Sequence, residues 1–113
     1  YPEAQVFTDF QTFLREGNLD AVVVATSVGL HYPMAKAALE AGKHTFVEKP
    51  MATSCAECDE LIALAESKRL VLMAGHTFLF SSVVRKIKKI VDDGDIGDVR
   101  YISARRLNLG LFQ

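Results

Sequence analysis

The apolar positions of this chain fall into two rhythms that alternate from beginning to end. Ala21-Val22-Val23-Val24-Ala25 is a continuous apolar run, rich in β-branched residues and bounded by Asp20 and Thr26, and it reads as a buried strand. His44-Thr45-Phe46-Val47 and Val71-Leu72-Met73-Ala74 have the same character. Between them the spacing lengthens to that of helices. Phe10, Phe13 and Leu14 share a helical face that starts at Thr8-Asp9 and closes at Gly17. His31-Tyr32-Pro33 opens a second helix, with Pro33 in the first turn, where its missing N–H is not needed, and Gly42 after its last turn. Ser54-x-x-Glu57 is a capping box that starts a helix running to about Lys68. Val6-Phe7 reads as a short strand ahead of all this. Repeated strand-helix steps with short connections predict an α/β fold built on a parallel sheet.

From Ser81 the pattern changes. Val83, Val84, Ile87, Ile90 and Val91 form one apolar helical face, and Arg85, Lys86, Lys88 and Lys89 line the other. After the turn Asp92-Asp93-Gly94-Asp95-Ile96-Gly97, alternation over Val99 to Ala104 predicts a strand of a second sheet. The first unit is therefore expected over residues 1–80 and the start of a second over 81–113. The chain begins at Tyr1 rather than methionine and stops just after a strand-like stretch, so it is expected to be a piece of something longer.

Composition narrows the function classes. A formal net charge of −1 gives no cationic surplus with which to bind nucleic acid or an anionic membrane. The basic face after Ser81 is then read as solvated. At 50% hydrophobic residues without an apolar run of membrane-spanning length or a leader-like start, a cytoplasmic protein is expected. Cys55 and Cys58 form a Cys-x-x-Cys at a helix start, but no second pair completes a zinc site. Cys58 falls in series with Leu61, Ile62 and Ala65 and is read as core, so no metal is expected.

The candidate chemistry lies where the strands stop. The strand from His44 runs into Glu48-Lys49-Pro50, two opposite charges and a proline that a strand interior does not accept. In parallel α/β sheets ligands bind outside the carboxyl ends of the strands, and a lysine there can reach one. Thr26-Ser27 and Gly75-His76-Thr77 end the two other strands in polar groups on what should be the same edge. A threonine at one strand end and Lys-Pro at the next also fits a phospho-receiver domain, with Asp9 as the acceptor. His31 alone has no assigned role, since a lone histidine is more often a cap or a packed core group.

Ala25-Thr26 with His31 following, then Ala38-Leu39-Glu40-Ala41-Gly42-Lys43-His44, then Glu48-Lys49-Pro50, resemble the glucose-fructose oxidoreductase / inositol dehydrogenase (Gfo/Idh/MocA) family from about Thr8 to the end. Gly75-His76-Thr77-Phe78 and Arg105-Arg106-Leu107-Asn108-Leu109-Gly110 look most similar to members acting on nucleotide-activated sugars. The resemblance implies a partial Rossmann-type parallel sheet with helices on both faces, followed by the first helix and strand of a second α+β domain. It implies an enzyme that moves a hydride between the nicotinamide of NAD or NADP and a hydroxyl carbon of a sugar or nucleotide-sugar, in a homo-oligomer.

Carried over residue by residue, Lys49 would be catalytic and would hold the reacting hydroxyl as its proton leaves. Ala25, Thr26, Ser27, His31, Glu48, Lys49 and Pro50 would line the cofactor, and Lys49 and His76 the substrate. A cis Lys49-Pro50 bond is compatible with this turn because proline lowers the cis cost to about 0.5–1 kcal/mol. Ser27-Val28 stand where family members often have Pro-Asn, and the Gly-x-Gly-x-x-Gly turn is absent from the seven glycines of this chain. That turn is expected before Tyr1 and the partner histidine after Gln113, so the chain alone is expected to be inactive. A dinucleotide-binding sensor without turnover is the alternative of the same fold.

Overall fold

The computed structural model describes residues 2–105. They belong to two compact units, divided between His76 and Thr77.

In the first unit, helix α1 (Phe10–Glu16) is followed by strand β1 (Ala21–Val24), helix α2 (His31–Glu40), strand β2 (His44–Val47), helix α3 (Cys55–Lys68) and strand β3 (Leu72–Ala74). The strands form a parallel sheet in the order β1-β2-β3, so consecutive strands are neighbours and each crossover carries one helix. In register, Val22 pairs with Thr45 and Thr45 with Leu72, while Val24 pairs with Val47 and Val47 with Ala74. These residues point to the face covered by α2 and α3, and Val22, Val24, Thr45 and Val47 are buried there. The one polar group in that row, the Thr45 hydroxyl, is satisfied by donating to the Lys43 carbonyl at 3.1 Å.

Ala35 and Ala38 let α2 lie against this face with no accessible surface left at either residue, and Leu39, Leu61, Ala65 and Leu14 complete the core. Helix α1 joins the same side, its Leu14 in the core and Phe10 and Phe13 packed against it. On the opposite face Val23 is 69% exposed and Met73 40%. The helices of this unit pack on the core side of the sheet.

The predicted boundaries follow local chemistry. Asp9 caps α1 by accepting from Thr12 N–H at 2.7 Å, which holds its carboxyl below the usual carboxylate range. The Ser54 box is closed in both directions, Ser54 accepting from Glu57 N–H and Glu57 accepting from Ser54 N–H. Helix α2 ends with Lys43 N–H on Ala38 O and Gly42 N–H on Leu39 O, Gly42 taking φ +76°. Helix α3 ends the same way, with Leu70 N–H on Ala65 O, but there the left-handed position is filled by Arg69 at φ 57°. On the surface α2 and α3 are joined by Glu60, which accepts from both Tyr32 and Lys36. Those bonds push the Lys36 and Tyr32 pKa values up and the Glu60 value down.

Two expected strands are not formed. Val6-Phe7 pairs with no strand; the Phe7 ring instead packs edge-on against Phe13 at 5.7 Å, so side-chain packing onto α1 prevails over β propensity in so short a segment. The described residues of the Val99–Ala104 alternation also carry no ladder, because a strand needs a partner and none is present among the described residues. Cys58 is half-buried and Cys55 exposed, both as free thiols, and Ile62 beside them is 44% exposed rather than core.

In the second unit a 3-10 turn (Thr77–Phe80) leads to helix α4 (Ser82–Asp92), which starts after Ser81 without a side-chain cap bond and is closed by Gly94 at φ 76°. Lys88 pairs with Asp92 at 2.8 Å and Lys89 with Asp93 at 2.6 Å, each one turn apart, so part of the basic face is neutralised within the helix. Val83 and Ile87 on its apolar face are exposed among the described residues. No described helix is long and apolar enough to cross a membrane. Arg106 to Gly110, part of the nucleotide-sugar resemblance, lie outside the described residues.

Candidate functional site

The register that fills the core also aligns the strand ends. Val24, Val47 and Ala74 are partners across the sheet, so the turns after them emerge at the same carboxyl edge. Ladder bonds continue just past the strands, from Glu48 N–H to Val24 O at 2.9 Å and from Gly75 N–H to Val47 O at 2.8 Å. Ala25-Thr26-Ser27, Glu48-Lys49-Pro50 and Gly75-His76 are thereby brought together as three adjacent turns.

On the first turn Ala25, Thr26 and Ser27 are all exposed. The Thr26 hydroxyl makes a long bond of 3.4 Å to Ser27 O, and Ser27 precedes the 3-10 turn Val28–Leu30 without capping it. On the second turn the Lys49-Pro50 bond is cis. Glu48 accepts from Lys49 N–H at 3.1 Å. The Lys49 side chain is exposed, and its ammonium has no ion-pair or hydrogen-bond partner among the described residues. A free ammonium at the edge of a sheet is available to an oxygen of a ligand. His76, exposed, ends the third turn.

His31 is not exposed at this edge. It is 1% exposed, with Nδ1 2.7 Å from Pro50 O and Nε2 3.0 Å from Thr26 O. Both ring nitrogens face backbone oxygens inside the protein, whereas the other residues expected along this edge, Glu48 apart, are exposed. Carbonyl oxygens only accept, so each contact is a hydrogen bond only when that nitrogen carries a hydrogen; the neutral ring has one such nitrogen and the charged ring two.

Gly75 stands at the third turn beside Glu48, a proximity with no distinctive signal in the sequence. A Cβ built on it would lie 3.0 Å from Glu48 Oε2 and 3.2 Å from its Cδ, so the glycine makes the space in which the Glu48 carboxylate rests. A glycine after a strand is common, and only the ladder between β2 and β3 reveals what it faces. The receiver alternative fails on the structure: Asp9 follows no strand, and its carboxylate is committed to capping α1.

The sequence model described as an oxidoreductase family with an NAD-binding Rossmann fold matches residues 1–76. The chain is 40% identical over 105 residues to 2,7-anhydro-N-acetylneuraminate hydratase of Mediterraneibacter gnavus, covering 92% of this chain and 28% of the relative. It is 38% identical over 95 residues to dTDP-3,4-didehydro-2,6-dideoxy-alpha-D-glucose 3-reductase of Streptomyces violaceoruber, covering 84% and 28%. Among solved structures, scyllo-inositol dehydrogenase from Lactobacillus casei with bound NAD(H) and scyllo-inositol superposes with a TM-score of 0.76 at 31% identity. That match covers 81% of this chain and 27% of the other. The chain thus spans little more than a quarter of the length of these proteins.

Proposed function

This chain belongs to the Gfo/Idh/MocA family of oxidoreductases with an NAD-binding Rossmann fold, and on that premise we propose that the protein carrying it transfers a hydride between NAD or NADP and a hydroxyl carbon of a sugar or nucleotide-sugar. The observation that carries the proposal is the unpartnered Lys49 ammonium on the middle of three strand ends that stop in register. The exposed, small Ala25 and Ser27 and the Thr26 hydroxyl suit a dinucleotide laid along that edge. When bound, the nicotinamide supplies the carbon that accepts or returns the hydride.

The chain's own residues do the rest. Lys49 would donate a hydrogen bond to the reacting oxygen: in reduction it stabilises the negative charge that grows there as hydride arrives and gives the proton that completes the hydroxyl, and in oxidation its amine takes that proton back. Glu48 fixes the Lys49 backbone by accepting its N–H and presents its carboxylate beside Gly75, where it can meet a ribose hydroxyl. Pro50 carries the carbonyl held by His31, and His76 stands on the substrate side of the edge. Residues 1–80 serve as the later part of the nucleotide-binding domain and 81–113 as the start of the substrate domain. The protein is read as a cytoplasmic homo-oligomer acting on a small molecule, and the net charge of −1 supports a reading without nucleic acid or anionic membrane partners.

The test is nicotinamide reduction by the intact protein with a panel of UDP-sugars and polyols, beside Lys49→Ala. Loss of a group acting on a proton in the transition state should lower kcat by about 100-fold or more. Tight dinucleotide binding with no turnover of any substrate, and no effect of Lys49→Ala, would establish the sensor instead.

A further inference from the structure

We propose that His31 is a positioning residue: a buried imidazole at the head of α2 that ties the Lys49-Pro50 turn to the Thr26-Ser27 turn and so fixes where the Lys49 ammonium stands. The role assigned to Lys49 is the one proposed above, and this inference rests on it.

Four observations carry it. The ring is buried at 1% exposure, so its nitrogens serve the protein rather than a ligand. Both face backbone oxygens, Pro50 O at 2.7 Å and Thr26 O at 3.0 Å, so what they fix is main chain. Those oxygens belong to turns 19 and 5 residues away, at the ends of two different strands. Finally, the turn has little else of long range at this point: Lys49 N–H is taken by the neighbouring Glu48 side chain, and Pro50 has no N–H to give.

Ladder bonds govern β2 up to Glu48. Beyond it, the direction of the chain is set by the carbonyl that His31 grips. A shift of the turn moves Lys49 with it, and proton-handling groups lose much of their effect when displaced by even an ångström. The ring does not serve as a helix cap, because α2 has no side-chain cap bond.

The experiment uses the intact protein with His31→Ala and His31→Gln, together with Lys49→Ala. Hydrogen exchange read by mass spectrometry should rise about tenfold in the segment 49–53, the worth of one lost hydrogen bond, while the interior of α3 stays protected. kcat should fall by up to about 100-fold, with a much smaller change in the dissociation constant of the reduced dinucleotide. His31→Gln, whose amide can donate to one of the two carbonyls, should recover part of kcat. Unchanged exchange in segment 49–53, or an unchanged kcat, overturns the proposal. So does global loss of protection in both variants, which would assign the ring to fold stability alone. If Lys49→Ala is fully active the reading of Lys49 falls, and the exchange measurement still decides whether His31 holds the turn.

Discussion

Replacing Gly75 by alanine tests whether the carboxylate of Glu48 belongs to the site. The added methyl would lie 3.0 Å from Glu48 Oε2, against an ordinary contact that begins at 3.4 Å, so the carboxylate must retreat by about 0.4 Å. Phe46 Cζ, at 3.3 Å, needs to give only about 0.1 Å. If neither neighbour could move, overpacking would cost about 1–3 kcal/mol. Glu48 is a half-exposed, flexible side chain, so it yields, and the loss of unfolded-state freedom on going from glycine to alanine returns about 0.4–1 kcal/mol. The two terms nearly cancel, and the thermal midpoint of the intact protein should move by no more than a few degrees.

The same retreat works against the 3.1 Å bond from Lys49 N–H to Glu48, and kcat/KM for nicotinamide reduction should fall by about tenfold. Glu48→Ala and the double variant complete a cycle: if Gly75 acts through Glu48, the double variant is no worse than Glu48→Ala alone. Full kcat/KM in a Gly75→Ala protein of unchanged stability would refute the assignment of Glu48. A collapse of stability would show instead that Glu48 cannot move.

Two further outcomes concern the helix ends and are read from thermal denaturation of the intact protein. Arg69 occupies the left-handed position that Gly42 and Gly94 fill at the ends of α2 and α4, so Arg69→Gly should stabilise by roughly 0.5–1 kcal/mol, and a lower midpoint would contradict the strain argument. The Thr53 hydroxyl, with the Thr53 and Ser54 N–H groups, holds the Glu57 carboxyl below its usual range. Because the folded-state value is the lower one, the carboxylate's contribution is present above the unfolded-state pKa and is lost as pH falls through the folded one. The gap in midpoint between the wild-type protein and Glu57→Gln should therefore narrow on acidification, and a gap that widens would reverse the sign.

What could be read from the sequence was what is local. The capping box at Ser54, the close of α2 at Gly42 and the start of α1 at Asp9 are each specified by a few adjacent residues, and each forms as expected. The apolar run Ala21–Ala25 correctly indicated a strand, yet it could not say that Val23 would be 69% exposed, since continuous apolarity describes what a strand can bury rather than what covers it. Val6-Phe7 and Val99–Ala104 failed as strands for the complementary reason: propensity is present, but pairing is a property of a second segment. Lys49 stands out as a candidate in the sequence because a charge after an apolar run is locally anomalous. The contacts of Gly75 with Glu48 and of His31 with Pro50 were not legible, because those partners are 27 and 19 residues distant.

The position of His31 nonetheless follows from the topology. Two parallel strands end at one edge, and the helix that connects them must begin beside the end of the first. The head of α2 therefore lies close to the turn after β1, and in-register pairing of Val24 with Val47 brings the turn after β2 alongside. A side chain at that helix start can reach both turns, and the two ring nitrogens of His31 lie within reach of one carbonyl in each, donating to one when the ring is neutral and to both when it is charged. Sequence distance of 5 residues to Thr26 and 19 to Pro50 becomes 3.0 Å and 2.7 Å by this geometry alone. The first residue of a crossover helix is thus a place where packing and site geometry are the same constraint, and altering it should disturb the site without touching a ligand.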